Sequence, residues 1–116
     1  MTDLLFVHTD DKLTDLCSTK LSQYFQVHRA IDGLSAVRKV RRHKPKIVIS
    51  EYDLPLLSGR ALVKFVRSYP PTTSSVFIFF SKQEFVPEAL NLGANAWLAT
   101  TSSSPQLLID HVLHYV

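Results

Sequence analysis

Two segments place acid–base or metal-ligating side chains directly after short apolar runs: His8-Thr9-Asp10-Asp11 after Leu4-Leu5-Phe6-Val7, and Glu51-Tyr52-Asp53 after Ile47-Val48-Ile49-Ser50. Hydroxyls follow two more runs, Ser81 after Val76-Phe77-Ile78-Phe79-Phe80 and Thr100 after Ala96-Trp97-Leu98-Ala99. Imidazole titrates near neutral pH, so His8 beside Glu51 would make a pH-sensitive pair. With Asp10 or Asp53 in reach, His8 could instead hold a softer metal, although the spacing carries no metal signature. His111 and His114 share a helical face at i, i+3, where a solvated surface explains them more simply. Arg38, Lys39, Arg41, Arg42, Lys44 and Lys46 concentrate positive charge in one segment. Contact with nucleic acid or an acidic partner is one reading of that segment. A solvated helix end is the stronger one, because no aromatic residues interleave with the charges.

Hydrophobic periodicity supplies the elements that must position these groups. Leu4–Val7 reads as a buried strand feeding a helix N-capped by Asp10, with Leu13, Leu16, Cys17 and Leu21 as its inner stripe. Phe25–Ala30 alternates as an edge strand would, and Asp32-Gly33 turns into a helix with Leu34, Val37 and Val40 inward, ended by Pro45. Ile47–Ser50 is a buried strand. Leu62, Phe65, Val66 and Tyr69 mark a helix that stops before Pro70-Pro71, and Val76–Phe80 is the next strand. Pro87 opens a short helix ending at Gly93, Ala96–Ala99 is the last strand, and Ser102-Ser103-Ser104-Pro105 caps a helix with Leu108, Ile109, Val112 and Leu113 inward. Five strands alternating with five helices imply a three-layer, doubly wound parallel α/β sheet over residues 1–116, with right-handed crossovers. Sites in such sheets lie beyond the carboxyl ends of the strands, near the point where strand order reverses, and that rule selects His8, Thr9, Glu51, Asp53, Ser81 and Thr100.

Composition agrees with one core. The 116 residues are 46% hydrophobic with a formal charge of +3, so the charge is a patch rather than a property of the whole chain. No apolar stretch approaches the roughly 18 residues that span a bilayer, and Met1-Thr2-Asp3 lacks a basic signal start, which gives a soluble, cytoplasmic expectation without membrane contact. The single cysteine, Cys17, is a small core hydrophobe in this pattern.

Across nearly its whole length the chain resembles the receiver domain of bacterial response regulators, a flavodoxin-like fold. The residues that carry the resemblance are Ile47-Val48-Ile49-Ser50-Glu51-Tyr52-Asp53-Leu54-Pro55 with Ser58-Gly59, Asp32-Gly33 before the second helix, and Ala89-Leu90-Asn91-Leu92-Gly93-Ala94-Asn95-Ala96-Trp97-Leu98. The resemblance implies two-component signalling by phosphoryl transfer to an aspartate with bound magnesium. At the acceptor position stands Glu51, whose carboxylate reaches about 1.3 Å further, far enough to spoil an octahedral magnesium site with ligands at about 2.0–2.1 Å. His8 and Thr9 replace the family's metal-holding acidic pair. Thr100-Thr101 replaces its lysine and cis-proline, and Ser81 alone keeps the expected residue type.

The reading that follows is an atypical receiver, or pseudo-receiver, that is not an enzyme, needs no cofactor and works by protein contact. Its partner or effector domain, or a second copy in a homodimer, would meet the face of the fourth helix, last strand and terminal helix, with Phe85, Val86, Trp97 and His111 as candidates. Trp97 falls at the family's aromatic switch, and its bulk favours an exposed anchor over an inward rotamer. Glu51 either supplies a standing negative charge where the aspartyl phosphate would form, or ends its strand and hydrogen-bonds Ser81 or Thr100. The alternative is a working magnesium-dependent phosphoacceptor that uses Asp53 or the Asp10 and Asp11 pair. Nucleic-acid binding through the basic helix ranks last.

Overall fold

The computed structural model describes residues 1–100 and 104–115; Thr101, Ser102 and Ser103, named above, and Val116 lie outside them. The chain runs β1 (Asp3–Val7), α1 (Asp11–Leu21), β2 (Gln26–Ala30), α2 (Gly33–His43), β3 (Ile47–Ser50), α3 (Gly59–Ser68), a 3-10 turn (Pro70–Thr72), β4 (Val76–Ser81), α4 (Glu88–Asn91), β5 (Ala96–Ala99) and α5 (Pro105–His114). All neighbouring strands are parallel, in the order β2-β1-β3-β4-β5. That is the doubly wound sheet expected, with β2 at one edge and the reversal of strand order between β1 and β3.

Period-2 alternation splits the central strands between two cores. Leu5, Val7, Val48, Phe77 and Phe79 face α2, α3 and α4, whereas Leu4, Phe6, Ile49, Ile78 and Phe80 face α1 and α5. Helix starts follow local chemistry: Asp10, Asp32, Ser58 and Ser104 each accept a backbone N–H from the first turn of the helix they precede. α2 ends on Lys44 at φ 47°, a left-handed cap usually given to glycine, just before Pro45. Among the described residues no helix is long and apolar enough to cross a membrane.

Two helices are rotated from the expected faces. In α1 the buried line is Thr14, Cys17, Ser18 and Leu21, and Leu16 is 56% exposed. In α2 it is Gly33, Ala36 and Val40, and Leu34 is 41% exposed. The cause in α2 is a close approach: a Cβ on Gly33 would lie 1.8 Å from Leu57 O, so the glycine must face the β3–α3 loop and its larger neighbour turns outward.

Candidate functional site

Parallel register sets Val7 opposite Ser50, so His8 and Glu51 leave the sheet side by side at the reversal of strand order. The Glu51 N–H donates to Val7 O at 2.9 Å and the His8 N–H to Ala30 O at 3.1 Å, which extends both ladders by one residue. Both side chains are buried, His8 4% exposed and Glu51 2%. His8 Nε2 lies 3.3 Å from Glu51 Oε2, in an alignment that falls short of a full hydrogen bond. His8 Nδ1 accepts the Asp10 N–H at 3.2 Å, which puts the proton of the neutral ring on Nε2, toward the carboxylate.

Three further donors converge on Glu51. Oε1 accepts the Tyr52 N–H at 2.8 Å and the Ser81 hydroxyl, and the Lys82 N–H approaches Oε2 at 3.4 Å. Ser81 is in turn held by accepting the Gln83 N–H at 3.1 Å. Burial by itself pushes the Glu51 carboxyl up. The close approach of His8, with hydrogen bonds from Ser81 and the Tyr52 amide, outweighs burial and brings the carboxyl down to about 2. Glu51 is therefore a fixed buried anion across the ordinary pH range, and charge-assisted donors meet both its oxygens.

The remaining candidates do not join it. Thr9, Asp10, Asp11 and Asp53 are exposed, and the Asp10 carboxylate is committed to capping α1 through the Leu13 N–H at 3.1 Å. Thr100 is half-buried, and its amide ties the end of β5 to Ser81 O at 2.8 Å. Of the two hydroxyls expected near Glu51, the structure shows Ser81 bonding it. Around His8 the structure places the Asp10 amide and the Glu51 carboxylate, while the Asp10 carboxylate, one of the two ligands weighed for a metal, caps α1. One ring nitrogen faces an amide and the other faces Glu51, and among the described residues no group of three or more His, Cys, Asp or Glu could hold a metal ion.

Trp97 also departs from expectation. It is half-buried rather than an exposed anchor, with ring centroids 5.2 Å from Tyr52, 5.3 Å from Phe79 and 6.0 Å from Phe85. Phe79 is its ladder partner on β4, and the rings of Phe79 and Tyr52 offer the indole an apolar surface to pack on. Its Nε1 is buried without a partner among the described residues. The exposed aromatic is Phe85, 50% accessible and edge-on to the indole, with Val86 half-buried next to it. His111 is half-buried and lines, with Leu107, Asp110 and His114, a shallow surface pocket of about 400 Å³ on α5.

Sequence reasoning missed the backbone donors of Tyr52 and Lys82, which no residue type encodes, and the link from Glu51 through Tyr52 to Trp97. One signal was present in Ser58-Gly59. The Gly59 N–H donates to Tyr52 O at 2.9 Å, and a Cβ there would sit 2.5 Å from Glu51 O, so the glycine lets α3 start against the loop that carries the site.

A parallel sheet in the order 2-1-3-4-5 with its site at the β1/β3 reversal is the architecture of signal-receiver domains, and this chain belongs to the receiver-domain family of two-component response regulators. It is 32% identical over 97 residues to a probable chemotaxis protein CheY of Rhizobium etli, covering 78% of this chain and 75% of that protein. It is 30% identical over 89 residues to an uncharacterized transcriptional regulatory protein, YhcZ, of Bacillus subtilis, covering 76% of this chain and 42% of that one. In three dimensions it superposes on the chemotaxis response regulator CheY4 of Vibrio cholerae with a TM-score of 0.89 at 22% identity, over 100% of this chain and 99% of that one. No protein-family model matches the chain. The chain spans less than half the length of the first curated relatives it matches.

Proposed function

We propose that this receiver domain signals without aspartyl phosphorylation, as a protein-interaction module rather than an enzyme. The observation that carries the reading is the engagement of Glu51: both carboxylate oxygens already face donors, one the hydroxyl of Ser81 and another the imidazole of His8. A phosphoacceptor must present a free carboxylate oxygen in line with the incoming phosphorus, next to a metal held by hard oxygen ligands. The donors around Glu51 do not suit magnesium, because an imidazole stands where a second carboxylate would be needed and Asp10 serves as a helix cap. In the same reading Glu51 stands in for a permanent partial phosphate charge, and the output face comprises α4, β5 and α5 with Phe85 as the protruding side chain, flanked by Val86, Trp97 and His111.

The test uses Trp97, the chain's one tryptophan, which packs on Tyr52 next to the carboxylate. Magnesium and then beryllofluoride are titrated while tryptophan fluorescence is followed, with calorimetry alongside. The expected result is no saturable response to either. A saturable magnesium signal strengthened by beryllofluoride refutes the proposal. Acetyl-phosphate labelling that an Asp53→Asn variant loses would move the chemistry to Asp53. The output face is checked separately: Phe85→Ala should alter partner capture or the concentration-dependent sedimentation of the domain, and unchanged behaviour in both removes that face from the proposal.

A further inference from the structure

The outer surface of α2 and α3 combines features that the site at Glu51 does not use. Neither helix contains an acidic residue, and together they carry Arg38, Lys39, Arg41, Arg42, Arg60, Lys64 and Arg67, seven of the chain's 13 basic residues. Three of these are occupied locally: Lys39 by Arg29 O, Arg60 by Glu88 at 2.6 Å, and Arg67 by backbone carbonyls. Arg38, Arg41, Arg42 and Lys64 point outward, and none forms an ion pair among the described residues. Arg41 stands 5.4 Å over the half-buried ring of Phe65 on α3, which bridges the two helices and backs a cation with an aromatic face.

At the amino end of this face lie apolar side chains that have no packing reason to be there. Leu34 shares a helical line with Arg38 and Arg41 at i, i+4, i+7. The Gly33 N–H donates to Pro55 O at 3.1 Å, which brings the β2–α2 turn, with its exposed Ile31, against the loop that carries Leu56. Leu56 is 74% exposed at φ 70°, and the Leu57 N–H closes a three-residue turn onto Pro55 O at 2.8 Å. That conformation is costly for a leucine, and the turn thrusts an apolar side chain into water.

We propose that this face docks an acidic, amphipathic polypeptide segment, whose carboxylates meet Arg38, Arg41, Arg42 and Lys64 and whose apolar end meets Leu34 and Leu56. The net charge of +3 and the exposed leucines argue for a polypeptide over a nucleic acid, since phosphates make no use of apolar anchors. The inference is independent of the phosphorylation state of the domain and of the Phe85 face.

The experiment follows the anisotropy of a labelled peptide with glutamates and leucines at helical spacing, against the same peptide with glutamines in place of glutamates and against a DNA duplex. The glutamate peptide should bind with an affinity that falls as salt rises, and the glutamine peptide should not. Arg38→Glu with Arg42→Glu should weaken binding by about tenfold or more, and Leu34→Ser should weaken it without changing the salt slope. Melting curves verify that the variants fold. If the double reversal does not, Lys64→Glu and Arg38→Ala each carry the same expectation in smaller measure. Absence of binding, equal binding of the glutamine peptide, indifference to the charge reversals, or tighter binding of the duplex each overturns the proposal. So does binding that responds to Phe85→Ala and not to these substitutions.

Discussion

Replacing Glu51 by Gln tests whether the buried carboxylate is held as an anion. Its pKa falls from 4.5 to about 2 on folding, so protonation is disfavoured in the native state. A depressed pKa contributes stability that is fully present above 4.5 and is lost as pH falls toward 2. At 1.36 kcal/mol per unit, the contribution is about 3 kcal/mol. The glutamine is nearly isosteric, but it cannot accept at both ends: with its oxygen toward Tyr52 and Ser81, its NH2 faces the Lys82 N–H and the His8 Nε2 proton. For a chain of this size 1 kcal/mol is worth roughly 4 °C, so Glu51→Gln should melt about 12 °C lower at neutral pH. Urea unfolding followed by Trp97 fluorescence, repeated at steps from neutral pH down to about 2, supplies the decisive comparison. The gap between wild type and variant should close progressively below 4.5. A gap that stays constant through that window would refute the claim that the charge of Glu51 is stabilised in the fold. Running His8→Asn as the second arm of a double-mutant cycle then separates the imidazole's share from that of Ser81 and the amides.

Other substitutions have outcomes set by single contacts. Arg67→Ala removes a half-buried guanidinium that binds Gly93 O, Thr73 O and Asn95 Oδ1, each at 2.9 Å, and Ser75 O, so urea unfolding should show a loss of about 3 kcal/mol that Arg67→Lys does not restore. Gly59→Ala drives a Cβ to within 2.5 Å of Glu51 O and should destabilise by about 2 kcal/mol or more, with a shift in Trp97 emission because the loop beneath Tyr52 must move. Lys44→Gly relieves a left-handed C-cap at φ 47° on an exposed residue and should raise the unfolding free energy by about 0.5–1 kcal/mol in the same assay.

The strands and the doubly wound class were legible because short apolar runs alternate with helical spacing and parallel strands need helical crossovers, whereas periodicity left the strand order open among several that bury both faces. The caps at Asp10 and Ser104 were legible for a similar reason, since a short polar side chain before a helical stripe has a local job. The facing of Leu16 and Leu34 was not legible. A stripe three or four residues wide leaves its centre undetermined by about one position, and a neighbour settles it: Leu57 against Gly33 in the case of α2. Trp97 illustrates the same limit across the sheet. Size alone argued against an inward rotamer, but Phe79 and Tyr52 together present the ring faces that accept it. Around Glu51 the residue types of His8 and Ser81 were visible, whereas the backbone amides of Tyr52 and Lys82 that join them are placed by the turns after β3 and β4 and no residue type encodes them.

The fold and the chemistry of this domain are separable, and the register shows why. His8 and Glu51 sit one residue beyond the last paired positions of β1 and β3, Val7 and Ser50, so the paired core residues Leu5, Val7 and Ile49 precede them, although the His8 ring also lies against Phe6 and Phe80. Likeness to receivers therefore speaks for the sheet and its two cores, whatever occupies the strand ends. What constrains the strand ends is electrostatic. A carboxylate 2% exposed is tolerable only where donors converge on it, and the Tyr52 amide, the Ser81 hydroxyl and the His8 ring all do. His8 and Glu51 thus stand as a matched pair. An aspartate at position 51 would draw the carboxylate back from His8 by about 1.3 Å, roughly the reach of one methylene. Glu51→Asp alone should therefore be less stable than wild type in the same urea assay, and a variant as stable as wild type would refute the pairing.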